Sequence, residues 1–289
     1  MLAVSQVSPL RKRMIEDMEL HGLSENTQEL YVRGVKQLSQ FAHCGPDKVT
    51  EEDIRQFFLY LANEKKAARS TATVALCGIK FFYENTLRRD WTTLQLVRPA
   101  PEHKLPVVLS RDEVHRVLAE VQIPAYRTCL KTIYGCGLRL MEGARLQVAD
   151  VDSERMVIHI HGGKGKRDRY AALPNPTLIG LRECWKTHGS PQWLFPSRNA
   201  KDADKPITGE TLQRAFSNAL RRSGIRKKAH VHTLRHAYAT HLMEVGVQLP
   251  LIQEALGHAN AETTAIYAHL TQPVRDTMTK HLDELMKDL

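Results

Sequence analysis

No run in the 289-residue chain comes near the roughly 18 consecutive apolar residues that span a bilayer, and the opening MLAVSQVSPLRKR lacks the apolar core of a secretory signal. The chain is therefore expected to be cytoplasmic, neither exported nor embedded, with no membrane among its partners. Cysteine is scarce. The five residues (Cys44, Cys77, Cys129, Cys136, Cys184) are odd in number, form no C-x-x-C and fall mostly on apolar helical faces, which reads as free core thiols in a reducing compartment. There is no G-x-x-x-x-G-K-[ST] phosphate loop and no cluster of acids suited to magnesium, so neither ATP chemistry nor a metal or other cofactor is expected. Histidine is plentiful at 14 residues, with His232 and His236 four apart and His159 and His161 two apart. A zinc hydrolase would usually set an acid beside such a pair, as in H-E-x-x-H, whereas HTLRH has Leu234 and Arg235 in the middle. No internal repeat or low-complexity segment breaks the pattern.

What the chain does have is positive charge. Lysine and arginine number 41 against 32 acids, a formal charge of +9, and residues 1–98 hold only 14 of the basic groups against 12 acidic ones. The excess sits in the second part and points to a polyanion, nucleic acid first and an acidic membrane surface second.

The first third reads as four helices. Ser8-Pro9 starts one that ends at Gly22, and Ser24 starts a longer one with Tyr31, Val35, Leu38 and Phe41/Ala42 on one face. Thr50 and Asp53 pair ahead of Ile54, Phe57, Phe58 and Leu61, and Ser70 opens a fourth with Val74, Cys77, Phe81 and Phe82 inward. RPAPEHKLP has three prolines and no periodicity, so the domains are set at 1–98 and 107–289 with a linker at 99–106. Beyond it, Ser110 and Glu113 cap a helix carrying Val114, Val117, Leu118 and Val121, and another follows Pro124 as far as YGCGLR. MVIHIHGGKGKRDRYAALP alternates, turns through a glycine- and lysine-rich tip and alternates again, as a β-hairpin does. Helices resume at 176–188, 209–223, 232–244, 250–256 and 261–270, and the tail is amphipathic through Val274, Met278, Leu282, Leu285 and Met286. The fold class is mainly α with a small antiparallel sheet, a helical bundle followed by a mixed α+β domain.

Within VHTLRHAYATHL, His232 and Arg235 fall on one side of a helix, with His236 beside them and Leu234, Tyr238 and Leu242 on an apolar stripe. Singly, Arg139, Lys164, His258 and Tyr267 each have an ordinary reading: a capping arginine, a solvated tip, a histidine at a helix end, a packing tyrosine. Their order is the signal. GCGLRLMEGARL, GGKGKRDR, HTLRHAYATHLMEVG and LGHANAETTAIYAHL together resemble the tyrosine recombinase family of phage integrases and Xer-like enzymes, over most of residues 106–271. Residues 8–86 resemble the family's SAM-like DNA-clamping bundle more loosely.

The resemblance implies a site-specific DNA strand transferase of the kind found in phage integration, transposition and other mobile elements. Attack on a phosphodiester loads negative charge onto the phosphoryl oxygens, and planar guanidiniums can hold two oxygens each, which suits Arg139 and Arg235. Tyr267 would be the nucleophile; its phenol, with an ordinary pKa near 10, needs the help that His232 and the arginines could give. Lys164 would protonate the leaving 5′-oxygen and His258 would hydrogen-bond a phosphate oxygen. Glu142, three residues after Arg139, matches the family's acid and would orient that arginine, while His236 would help fix its helix. Lys166 and Arg167 in the hairpin tip, and Arg221, Arg222, Lys227 and Lys228 in RRSGIRKK, are the candidate DNA-backbone contacts. The implied partner is double-stranded DNA bearing a recombination site, bound by a homotetramer that is monomeric or weakly associated when free, with accessory recombination proteins possible. Two other readings stay open at this point: a catalytically silent DNA-binding relic, and a type IB topoisomerase-like strand relaxer.

Overall fold

A computed structural model describes residues 8–89, 106–161, 168–199 and 204–257. The chain divides into two compact units, residues 1–104 and 105–289, so the division falls inside the proline-containing stretch.

The first unit is helical. Helix α1 (Pro9–Leu20) starts at Ser8, whose side chain accepts the Arg11 N–H, and α2 (Glu25–Phe41) is capped by Ser24 in the same way. In α3 (Glu51–Asn63) the cap is reciprocal: Thr50 N–H donates to Asp53 at 2.8 Å and Asp53 N–H to Thr50 Oγ1 at 3.2 Å. Ile54, Phe57, Phe58 and Leu61 then face inward as the spacing predicts.

Helix α4 (Arg69–Phe81) departs from expectation. It begins after Ala68, and its buried residues are Ala75, Gly78 and Ile79, followed by Phe82 in a π-helical continuation (Phe82–Thr86). Cys77 is exposed and Val74 and Phe81 are only half-buried, so the inward face is turned by about one residue from the apolar stripe. The cause is backbone proximity. A Cβ on Gly78 would lie 2.7 Å from Tyr31 Cα, and one on Gly34 would lie 3.1 Å from Ala75 Cα. Helices α2 and α4 meet through their smallest residues, and larger side chains are displaced to the flanks. Among the cysteines, Cys129, Cys136 and Cys184 are buried, Cys44 is half-buried and Cys77 lies outside the core; all are free thiols.

The second unit surrounds one hydrophobic core. Helices α5 (Arg111–Ala119), α6 (Pro124–Gly135) and the five-residue α7 (Leu140–Ala144) lead into strands β1 (Val151–Asp152), β2 (Val157–Ile160) and β3 (Arg169–Ala172). The sheet is antiparallel in the order β1-β2-β3, with His159 opposite Tyr170 and Ile160 opposite Arg169. Strand β1 is too short to show alternation, which is why the sequence reveals only the hairpin. Helices α8 (Asn175–Lys186), α9 (Gly209–Arg222), α10 (Val231–Glu244) and α11 (Leu249–Leu256) complete the described part. Leu130, Ile133, Ile158, Phe195, Leu212 and Phe216 are among the fully enclosed residues, each worth roughly 1.5–3 kcal/mol of burial for a large apolar side chain. Helix α10 is buried on nearly every side, including Thr233, Arg235, Thr240 and His241. Tyr238 and Leu242, expected on its core stripe, are half-buried and pack with Ala239, Ile252 and Leu256 in a separate small cluster.

The helix expected at 261–270 and the amphipathic tail lie outside the described residues. No described helix is long and apolar enough to cross a membrane.

Candidate active site

Arg139 stands where α6 has ended and α7 begins. Its backbone is extended, and its N–H donates to Glu142 Oε2 at 2.8 Å, half of a capping box in which the acid three residues on satisfies an orphan amide. The guanidinium of Arg139 returns to the same side chain, with Nη1 donating to Oε1 at 2.8 Å. Its Nη2 is 3.4 Å from the Gly257 carbonyl.

Glu142 is the hub. Arg169, first residue of β3, reaches it with both terminal nitrogens, Nη1 to Oε1 at 2.8 Å and Nη2 to Oε2 at 2.7 Å. Arg235 Nη1 lies 3.9 Å from Oε2. Burial alone would raise the Glu142 pKa, but the Arg169 hydrogen bonds and charge, with the Arg139 backbone and side-chain bonds, outweigh it and hold the carboxyl at about 2. Three guanidiniums thus converge on one ionised carboxylate, a cationic excess that suits a further anion.

Arg235 is 1% exposed. Nη1 donates to the Gly137 carbonyl at 2.6 Å and Nη2 to the Leu256 carbonyl at 2.5 Å, so the turn before α7 and the last residue of α11 are tied to α10 by one side chain. The glycine that ends α11 is required on two counts: Gly257 has φ +62°, and a Cβ there would lie 2.6 Å from Arg169 Cδ.

His232, one turn before His236, packs edge-to-face against that ring at 4.7 Å. It keeps an exposed surface, yet the protein around the ring, then the charges of Arg235, His230 and Arg139, press its pKa below the ordinary histidine value. The third histidine of the segment has a different place. His241 is buried in the core, where Nδ1 is 2.8 Å from the Tyr134 hydroxyl.

The structure therefore brings together Arg139, Glu142, Arg235 and His232, with His236 alongside. Lys164, Lys166, Arg167, His258 and Tyr267 lie outside the described residues. The other basic candidates, Arg221, Arg222, Lys227 and Lys228, are all exposed; Lys227 is held by Glu113 at 2.6 Å, Arg222 donates to the Glu120 carbonyl at 2.7 Å and Arg221 to Asn218 at 2.8 Å. Arg169 is the residue that sequence reasoning passed over. It ends GGKGKRDR, where it reads as one more tip charge; the available signal was that alternation resumes at this point, putting it in the strand and not in the turn.

Residues 107–273 match the phage integrase family, and residues 10–93 match the phage integrase N-terminal SAM-like domain. A Sinorhizobium fredii chain, y4qK, named for an integrase/recombinase, is 39% identical over 265 residues, covering 91% of this chain and 85% of its own length. Tyrosine recombinase XerA of Pyrococcus furiosus is 31% identical over 286 residues, covering 96% of this chain and 94% of its own. A lambda integrase solved as a tetramer bound to a Holliday junction shares the fold with a TM-score of 0.71 at 15% identity, over 91% of this chain and 78% of that one. The chain belongs to the phage integrase family, the tyrosine-type site-specific recombinases.

Proposed function

We propose that the chain cleaves and rejoins DNA at specific sites through a 3′-phosphotyrosine on Tyr267, with Arg139, Arg235, His232, Lys164 and His258 acting on the scissile phosphate. The observation that carries this reading is the convergence of Arg139, Arg169 and Arg235 on Glu142 beside His232. Tyr267 Oη forms a bond to phosphorus as the bond to the 5′-oxygen breaks. The phenolic proton goes to His232, whose depressed pKa keeps the ring able to take it, and Lys164 delivers a proton to the departing 5′-oxygen, which leaves as a hydroxyl. The arginines stabilise the charge that gathers on the non-bridging oxygens. One phosphoester replaces another, so the reverse attack by a second strand's 5′-hydroxyl rejoins DNA without ATP or a metal. Glu142 fixes the direction of Arg139, and His236 braces His232 on α10.

Residues 1–98 act as the DNA-clamping domain and 107–289 as the catalytic one. Lys166, Arg167, Arg221, Arg222, Lys227 and Lys228 contact the backbone, giving binding that weakens steeply with salt. Exchange between two duplexes needs four active sites, and the lambda tetramer on a Holliday junction supports the same assembly here, with the apolar tail beyond Gln272 docking on a neighbouring subunit. The work is done in the cytoplasm, with accessory proteins assisting where the site demands them.

A nicked suicide substrate tests the reading. Wild-type protein yields a DNA adduct that survives detergent and forms equally in EDTA, and Tyr267→Phe yields none. Binding with no adduct from wild type would leave the silent-binder reading standing. Adducts that never join two sites in trans would mark a strand relaxer.

A further inference from the structure

His159 lies in strand β2 and His161 just past its end, and Asp168 comes alongside them immediately before β3. The two imidazole centroids are 4.0 Å apart. His159 Nε2 is 3.3 Å and His161 Nδ1 is 3.6 Å from the same atom, Asp168 Oδ2. Donor atoms held by one tetrahedral zinc-class ion at about 2.0–2.2 Å stand roughly 3.3–3.5 Å from one another, so the Asp168 oxygen lies close to that spacing from each imidazole, and the donor atoms of all three residues fall within 4.8 Å of one another.

A fourth residue fixes the ring of His161. Its Nε2 is 2.9 Å from Asp150 Oδ1, and that carboxylate, 8% exposed, accepts the Gln147 N–H at 2.8 Å with its other oxygen. A carboxylate only accepts, so Nε2 carries the hydrogen and the neutral ring's lone pair sits on Nδ1, the atom turned toward Asp168. Lone pair facing carboxylate is repulsive unless a cation stands between. A proton on Nδ1 answers this at His161 alone. A metal ion answers it at His161 while engaging His159 Nε2 and the shared oxygen at once, and it gives the buried Asp150 the orienting role that carboxylates play behind metal-bound histidines.

We propose that His159, His161 and Asp168 bind one divalent transition ion of the zinc class, with Asp150 orienting His161 and water filling the fourth position. Two imidazoles and a carboxylate favour zinc, nickel or copper over magnesium or calcium. His161 and Asp168 bracket residues 162–167, so the ion ties the root of β2 to the root of β3. It takes no part in strand transfer, and its test does not depend on that chemistry.

Cobalt(II) is titrated into the full-length chain after EDTA treatment and desalting. Wild type develops a visible d–d absorption that saturates at one equivalent and is displaced by Zn²⁺. The His159→Gln/His161→Gln double variant shows none. Asp150→Asn, which keeps all three ligands, binds roughly 10–100-fold more weakly. Far-UV circular dichroism of each metal-free variant checks folding, and Asp168→Ser, a single change at an exposed position, replaces the double variant if that one fails to fold. Absence of saturable binding by wild type, or an absorption unchanged when the ligands are removed, overturns the site.

Discussion

Arg169 grips both oxygens of Glu142, at 2.8 and 2.7 Å, so the strand leaving the hairpin and the helix that follows Arg139 share one carboxylate. Lysine at this position would keep the charge but offer a point contact in place of a fork. Glu142 would then be free to tilt, and the Arg139 guanidinium, bonded to the same Oε1, would tilt with it. Arg169→Lys is expected to slow single-turnover adduct formation about 10–100-fold, the worth of one charge-assisted hydrogen bond at roughly 1.5–3 kcal/mol. Binding of uncleaved DNA, measured by fluorescence anisotropy, should change little. An unaltered cleavage rate would remove Arg169 from the machinery.

The same carboxylate makes stability depend on acid. Glu142 has a folded pKa of about 2 against an ordinary 4.5, so the folded state binds fewer protons than the unfolded one between those values. Its contribution is complete above pH 4.5 and is lost as pH falls toward 2, on the order of 3 kcal/mol in all. Urea midpoints of wild type should therefore drop steeply below pH 4.5. Glu142→Gln should be destabilised by about 3–5 kcal/mol at neutral pH, since it leaves guanidiniums facing an uncharged amide, and its midpoints should fall less steeply in acid. Parallel acid profiles for the two proteins would contradict the assignment.

His232 sets a different pH limit. Burial and the charges of Arg235, His230 and Arg139 lower its pKa from the ordinary 6.5, so the ring is half-protonated only in solution more acid than that. If it accepts the Tyr267 proton, adduct formation should decline in acid with a midpoint below pH 6.5. His232→Gln, which cannot take up a proton, should lower the rate and lose that decline. A wild-type rate already halved at 6.5 would mean an unshifted histidine governs the step.

How much of this could be read from residues alone follows from what kind of signal each feature leaves. Caps are local, so Ser8, Ser24, Thr50/Asp53 and Ser110/Glu113 announced their helices correctly. Motif order singled out Arg139, Glu142, His232 and Arg235, which the fold brings together. Arg169 stayed hidden because its meaning depends on a partner 27 positions away. The inward face of α4 stayed hidden for a related reason: glycine carries no hydrophobic signal, so an interface built on Gly34, Ala75 and Gly78 is invisible to a search for apolar stripes. The His159–His161–Asp168 grouping was half visible, since alternation aligned the histidines but only strand pairing brought up the acid.

Two glycines turn that last point into an opposed pair of outcomes. Gly78 lies inside α4 and Gly180 inside α8, where alanine normally stabilises a helix by roughly 0.5–1 kcal/mol. At Gly180 the added Cβ would meet only Thr128 Cγ2 at 3.9 Å, an ordinary contact, so Gly180→Ala should raise the stability of its unit by about that amount. At Gly78 the same carbon would stand 2.7 Å from Tyr31 Cα and 2.8 Å from Tyr31 O. Those are backbone atoms that no rotamer change can move aside, so α2 and α4 must separate. Gly78→Ala should lower stability by about 1–3 kcal/mol in spite of its better helix propensity. Native-state hydrogen exchange of α2–α4 amides and of α6–α8 amides reads each unit separately. Protection that rises in both variants would show that helix propensity, and not close approach of the two backbones, decides the residue at position 78.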